Sequence, residues 1–371
     1  MLYKLEKEQY ARAAHLFVQN SHHLFCAGVL SGKYDGQLFV DDVENPTTAL
    51  TIKPSSWWYF GGDAHNDGFN EALRDALVER SEIGKDVGAL LIAPESPEWI
   101  PVIHYLVEGR QGIATGRRLY IADGDHFHSD YVLADGFSLH FIDDSLEEKV
   151  AGDLPGDVQD VLQMRADTKN PDEMAFGFVA VYEQKCVAQA YVDCIVETRG
   201  EIGLYTDGSF RKQGLATAVS AATIEYALAH GITAVHWDCA FSNLSSNRVA
   251  QKLGLRRVLE HTQYLIVFDG LGHQLNVAWT ALDEGQFDKT MAVCTEIMQG
   301  EKESKYTYFL AGAASAGLGN EDAAFGYLET AVSLGWDDLV ELENQPTLQP
   351  LQQQPQWQRV VAHIQKNKVA I

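Results

Sequence analysis

The apolar positions of this chain change their period along its length. Over residues 6–19, Tyr10, Ala13, Ala14, Phe17 and Val18 recur at helical spacing among charged residues, which predicts an amphipathic opening helix. A loop carrying His22 and His23 is expected next. Short apolar runs bounded by turn residues then predict strands over 37–40, 48–52 and 57–60, with the aromatic run Trp57-Trp58-Tyr59-Phe60 as buried sheet. Helices are expected over 70–79 and 97–107, and strands over 88–93 and 118–122.

Around Gly136 the pattern restarts. Strands are predicted over 137–142, 177–182 and 186–196, with helical pieces over 146–150 and 157–164. Glu183-Gln184-Lys185 reads as a hairpin turn, and Thr198-Arg199-Gly200 turns the chain into a strand that opens at Glu201 and ends at Thr206. A small-residue helix to about His230, a strand over 234–238, a loop at Asn243, a helix over 246–252 and a closing strand over 263–268 complete this half. Asp269-Gly270-Leu271-Gly272 marks a boundary, and beyond it the periodicity is purely helical. Helices over 273–282 and 288–298 pair around Gly285, and those over 306–316 and 321–334 pair around Gly319. The two glycines stand 34 residues apart, the tetratricopeptide period. Two such units are too few to stand alone, so they are expected to dock on the preceding lobe or to stack through a cap, for which 348–354 and 357–365 are suited.

Charge and cysteine content narrow the classes of partner. The 371 residues carry a formal charge of −24, which repels nucleic-acid backbones and anionic membranes alike. Five scattered cysteines without redox or zinc spacing favour a reducing cytoplasm, and the charged N-terminus and lack of a long apolar run predict neither secretion nor a membrane span. No metal site is expected: His126-Phe-His128, flanked by Asp125 and Asp130, reads as a surface strand because spacing fixes no third ligand. Cys194 and Cys239 sit in apolar runs and read as core thiols.

One stretch carries recognisable chemistry. Glu201-Ile-Gly-Leu204-Tyr-Thr206 is followed by a polar turn at Asp207-Gly208-Ser209, a basic loop, and a helix. Strand, loop and helix start in that order make an anion site, because first-turn amides lack intrahelical acceptors and the helix dipole adds positive potential. Gly214 admits a phosphate without a Cβ in the way, Ala216 keeps the next turn slim, and Arg211 and Lys212 add charge. The three spaced glycines of a dinucleotide fingerprint and the Gly-Lys-Ser/Thr of a P-loop are both absent.

Arg211-Lys-Gln-Gly214-Leu-Ala216 resembles the Arg/Gln-x-x-Gly-x-Gly/Ala loop of the GNAT acetyltransferase superfamily. Trp237-Asp-Cys-Ala-Phe-Ser-Asn243 followed by Lys252-Leu-Gly254-Leu resembles that family's next strand, Asn-bearing loop and terminal helix. The resemblance implies an α/β (α+β) fold with a mixed, mostly antiparallel sheet and flanking helices. It implies a catalytic lobe over 135–270, after an N-terminal lobe over 1–134 and before a tetratricopeptide-like domain over 271–371. The first lobe is read as GNAT-like but non-binding, or as an unrelated α/β domain, because Gly61-Gly62-Asp63-Ala-His-Asn-Asp stands where the basic loop is expected.

The same resemblance implies an N-acetyltransferase that passes the acetyl group of acetyl-CoA directly to a primary amine, small molecule or protein. Leu204 and Thr206 would pair with pantetheine through their backbone, or simply pack as strand; Arg211, Lys212, Gln213, Gly214, Leu215, Ala216 and Thr217 would surround the pyrophosphate. Glu201 is the expected base, with Glu197 and Glu183 as alternatives. Asn243 holds the loop or a pantetheine amide, or caps a helix. The family's acid, a Tyr seven residues after that Asn, is replaced by Ala250, leaving Ser246, Tyr264 or solvent to protonate the thiolate. An acyl-CoA-binding scaffold working through residues 271–371, which offer a surface for a protein partner, is the alternative that the missing Tyr suggests.

Overall fold

A computed structural model describes residues 1–53, 57–78, 83, 89–107, 113–129, 131–167, 175–300 and 304–369. Met1–Leu265 form one compact unit and Ile266–Ile371 a second. The first is built on a single twelve-stranded sheet of order β1-β2-β3-β4-β5-β12-β6-β11-β10-β9-β8-β7. In chain order its elements are β1 (Tyr3–Lys4), three 3-10 turns (Lys7–Arg12, Ala14–Phe17, Gln19–His22), α1 (Leu24–Leu30), β2 (Gln37–Val40), β3 (Thr48–Lys53), β4 (Trp57–Gly62), α2 (Asp67–Val78), β5 (Ala89–Pro94), α3 (Trp99–Leu106) and β6 (Ile113–Ala122). They continue with β7 (Phe137–Phe141), α4 (Gly156–Asp167), β8 (Phe176–Tyr182), β9 (Lys185–Val196), β10 (Arg199–Thr206), α5 (Leu215–Ala229), β11 (Ala234–Ala240), α6 (Leu244–Lys252) and β12 (Arg256–Val267). The last residue of the helix expected over 70–79 and the first of the strand expected over 88–93 lie outside the described residues.

The two halves of this unit repeat one order of elements: antiparallel strands, a parallel β-α-β step, a helix and a last strand. The parallel steps are β4-α2-β5 and β10-α5-β11. The last strands are exchanged. β6 of the first half pairs antiparallel with both β11 and β12, and β12 of the second half lies beside β5. A cut at residues 134 and 135 therefore divides the sequence but not the sheet.

The core of the second half gathers on α5, whose Leu215, Val219, Ala221, Ile224 and Ala227 are buried with Val187, Ala190, Val192, Trp237 and Leu253. Its small residues let the helix lie close on β8, β9 and β10. Thr223 inside it is satisfied by donating to the carbonyls of Ala190 (3.0 Å) and Val219 (2.8 Å).

Three expectations are corrected. The opening segment is three 3-10 turns rather than one helix. Its buried residues Tyr10 and Ala13 are three apart and share a face at three residues per turn, where they meet Phe17, Val29, Leu38 and Tyr59. The stretch with His22 and His23, expected as a loop, is a 3-10 turn ending at His22 that leads through His23 into α1, which is apolar nearly throughout and so without an amphipathic signal. The segment around His126 and His128 has no strand assignment; His126 bonds Asp123 at 2.9 Å.

The second unit is helical: α7 (Gly270–Asp283), α8 (Phe287–Met298), α9 (Lys305–Gly317), α10 (Glu321–Ser333), α11 (Leu339–Asn344), a 3-10 segment Pro346–Gln353 and α12 (Pro355–Val369). Trp279, Phe309 and Trp336 stack at its centre, the last two with centroids 4.0 Å apart. Trp357, Val360 and Ile364 of α12 join the same core.

Candidate active site

β10 and β11 run parallel but pair only over Arg199–Ala234, Gly200–Val235 and Glu201–His236. Beyond Glu201 the strands part, while β10 keeps its ladder with β9 to Thr206 and β11 keeps its ladder with β6 to Ala240. The result is a wedge-shaped gap whose walls are two unpaired strand edges. At its apex the β9–β10 register skips Asp193, a bulge that sets this side chain beside Glu201. Leu204 and Thr206 lie on the open stretch of β10, and the Thr206 hydroxyl is buried without a hydrogen-bond partner among the described residues.

The mouth of the wedge leads into the loop expected to hold an anion. Asp207 accepts from the Ser209 amide at 2.9 Å and pairs with Lys185 at 3.1 Å. Lys212 and Gly214 both take positive φ, +63° and +82°. Gly214 is the N-cap of α5 and supplies no side-chain cap, so the first-turn amides of Leu215, Ala216 and Thr217 are left to a ligand or water. A Cβ on Gly214 would meet only the Val132 carbonyl, at 4.0 Å. Arg211, Lys212 and Gln213 are exposed, while Leu215 and Thr217 are buried and anchor the helix start.

The matching place in the first half is closed. β4 and β5 pair from Trp57–Leu91 through Phe60–Pro94, with no gap opening between them. At the start of α2 the Phe69 amide donates to the Asn66 side chain at 3.1 Å, and the Asp63 carboxylate takes the His65 amide at 2.9 Å. A Cβ on Gly62, which has φ +81°, would strike the Thr47 carbonyl, so this glycine serves packing rather than ligand approach.

Below the apex, side chains from both halves converge. Glu201 is half-buried, and its carboxyl is pushed up to about 8 by burial first and then by Asp238 and Asp193, against the opposing charges of Lys53 and Arg117. Asp238 on β11 is largely shielded from solvent, which alone would raise it. The bond from His261 (Nε2–Oδ2, 2.7 Å) and the Arg117 guanidinium (Nε–Oδ1, 2.6 Å) instead hold it down to about 2. Burial lowers the Lys53 amine, with Asp193, Cys194 and Glu201 acting the other way. His22 and His23 reach the same place: their ring centroids are 4.0 Å apart and lie 4.8 and 5.0 Å from His261. Burial pushes His23 well below the usual imidazole range. Of these groups the sequence marked only Glu201. The others come from β3, β6, β9, β11, β12 and the turn before α1, and only the adjacent pair His22-His23 gave any local signal.

Other expected residues take supporting places. Glu183 and Glu197 sit in turns at positive φ, and Glu197 lies 3.6 Å from Arg199. Asn243 caps α6, its Oδ1 accepting from the Ser246 amide at 3.0 Å, and Ser246 Oγ accepts from buried Trp237 at 3.0 Å. Ala250 is fully buried in the core. Tyr264 lies on β12 opposite Ala114, with its phenol raised by burial. Because Asn243 is a cap, Asn243→Ala is expected to cost about 1 kcal/mol of stability in thermal unfolding.

A family model described as GNAT acetyltransferase matches residues 14–264. An uncharacterized N-acetyltransferase of Bacillus subtilis (strain 168), YdfB, is 22% identical over 264 residues, spanning 71% of this chain and 98% of that protein. The crystal structure of a GCN5-related N-acetyltransferase-like protein from Streptococcus suis 89/1591 has a similar fold, with a TM-score of 0.50 at 22% identity over 69% of this chain and 98% of that one.

Proposed function

Because this chain belongs to the GNAT acetyltransferase family, we propose that it is an acetyl-CoA-dependent N-acetyltransferase whose second half, 135–270, binds the thioester and transfers its acetyl group directly to a primary amine. The observation that carries this is a contrast within one sheet. The second half has both an open wedge and a helix start with no side-chain cap, whereas the first half has neither. Pantetheine lies along the open edge at Leu204 and Thr206. The diphosphate lies at Arg211, Lys212, Gln213, Gly214, Leu215, Ala216 and Thr217. Asn243 and Ser246 keep the opposite wall in place through α6.

Glu201, at the apex, takes the proton that a charged amine must lose before it can attack. The nitrogen then bonds to the acetyl carbon, the carbon–sulfur bond breaks, and the nitrogen gives its second proton to solvent while the thiolate takes one from solvent, or from Ser246 or Tyr264, which solvent then reprotonates. Burial of Glu201 among carboxylates suits a base working near neutral pH and favours a cationic acceptor.

The first half, 1–134, acts as a lobe that binds no acetyl-CoA and contributes Lys53, Arg117, His22 and His23 to the acceptor end. The tail, 271–371, is tetratricopeptide-like in our reading and offers a surface for a protein partner. Support comes from its two helix pairs, which turn at Gly285 and Gly319 with φ of +74° and +77°. A reducing, cytoplasmic setting suits the five free cysteines. Among the described residues no helix is long and apolar enough to cross a membrane.

Calorimetry with acetyl-CoA, followed by thiol release against a panel of amines, tests the proposal. Binding with turnover on at least one amine supports it; binding without turnover on any amine would favour the scaffold instead. The double variant Arg211→Ala/Lys212→Ala should bind acetyl-CoA about three- to tenfold more weakly at low salt. The difference should shrink as added salt screens these exposed charges.

A further inference from the structure

We propose that His22, His23 and His261 bind one divalent transition ion of the zinc class, with Asp238 positioning His261. This does not depend on acetyl transfer. One ring nitrogen from each histidine lies within 4.8 Å of the other two. Tetrahedral coordination at zinc–nitrogen distances of about 2.0–2.1 Å needs ligand nitrogens about 3.4 Å apart, so side-chain rotations of roughly an ångström close the site. His261 is already set for this. Its Nε2 bonds Asp238 at 2.7 Å, and its Nδ1 is buried with no hydrogen-bond partner among the described residues. A carboxylate on one ring nitrogen fixes the tautomer that leaves the other as a lone-pair donor, the usual arrangement behind a metal-bound histidine.

The surroundings hold these groups in place. Asp238 is fixed from its other side by Arg117, which also donates to the Asp238 carbonyl at 3.2 Å. The His22 carbonyl lies 3.3 Å from Nδ1 of His236, tying the turn before α1 to β11. His23 packs with its ring centroid 5.3 Å from that of Tyr59. Three imidazoles with no carboxylate ligand suit zinc, cobalt or nickel and not magnesium or calcium. Three protein ligands leave a fourth coordination position for water or a substrate group.

The test uses the full chain, free of any affinity tag and stripped with chelator. After incubation with Zn²⁺ and desalting, elemental analysis should find one equivalent of zinc. X-ray absorption of that wild-type sample should show imidazole scattering and no sulfur. Co²⁺ should give the visible ligand-field bands of a four-coordinate ion. His23→Gln and His261→Gln should lose the ion, Asp238→Asn should weaken it about ten- to a hundredfold, and His126→Gln should leave it unchanged. Well under one equivalent on the wild type, or sulfur in its first shell, overturns the proposal whether or not the variants fold. So would full retention by a folded His23→Gln/His261→Gln double variant.

Discussion

Replacing Gly214 with Asp is expected to weaken acetyl-CoA binding about a hundredfold while leaving the fold nearly as stable as before. The residue sits at φ +82° as the N-cap of α5, and its Cβ would point into open space with only the Val132 carbonyl at 4.0 Å. Asp tolerates the left-handed region better than most residues, at a strain of about 1 kcal/mol. A carboxylate at the positive end of a helix returns about 0.5 kcal/mol of that. The protein therefore folds, but a fixed negative charge stands where the diphosphate of the donor would lie. A hundredfold loss is about 2.7 kcal/mol, in the range of one charge-assisted anion contact exchanged for repulsion. Gly214→Asn, similar in shape and uncharged, should lose far less. Calorimetry on both variants, with thermal unfolding as the check on folding, decides the matter. An Asp variant that binds acetyl-CoA as tightly as the wild type would mean that the donor does not lie at the start of α5.

What could be read from the sequence was local, and what could not was set by pairing across the chain. The loop from Asp207 to Ala216 announced itself because a turn residue, two cations and a glycine fall within ten positions at the end of one apolar strand. The cap at Asn243 and the helix turns at Gly285 and Gly319 are legible for the same reason. The exchange of β6 and β12 leaves no trace in either strand, since each mixes apolar residues with charged ones, Arg117 and Arg118 in β6 and Arg256, Arg257 and Glu260 in β12, in a pattern that names no neighbour. The wedge is equally silent: it is the absence of pairing after Glu201, a property of two strands and not of one. The same non-locality hid His261, Asp238 and Arg117: Asp238 meets Arg117 across 121 residues of chain, and His261 lies beside the His22 ring from the far end of the same unit. The opening turns misled in the other direction. Tyr10 and Ala13 fit a helical period, but tertiary packing against Leu38 and Tyr59 favours three residues per turn.

Glu201→Gln should lower kcat/KM by about 10² to 10³, the usual size of a general-base contribution, without weakening acetyl-CoA binding. The wild-type pH profile carries the more specific signature. With its carboxyl pushed up to about 8, Glu201 reaches its working, ionised form as pH rises through that value. The rate should climb about tenfold per pH unit below 8 and flatten above it. The Gln variant should keep only the ionisation of the acceptor amine. Stability should move the opposite way. The folded protein holds the Glu201 proton up to about 8, while the unfolded chain releases it near the ordinary carboxyl value of 4.5, so rising pH destabilises the wild type across that window and no further. Gln at this position escapes the penalty. Its melting temperature should match that of the wild type near pH 4 and exceed it at pH 9. Lower activity together with higher stability would identify Glu201 as a carboxylate held under strain for proton transfer. A Gln variant with wild-type turnover and an unchanged inflection near pH 8 would move the base elsewhere in the cluster around Asp238.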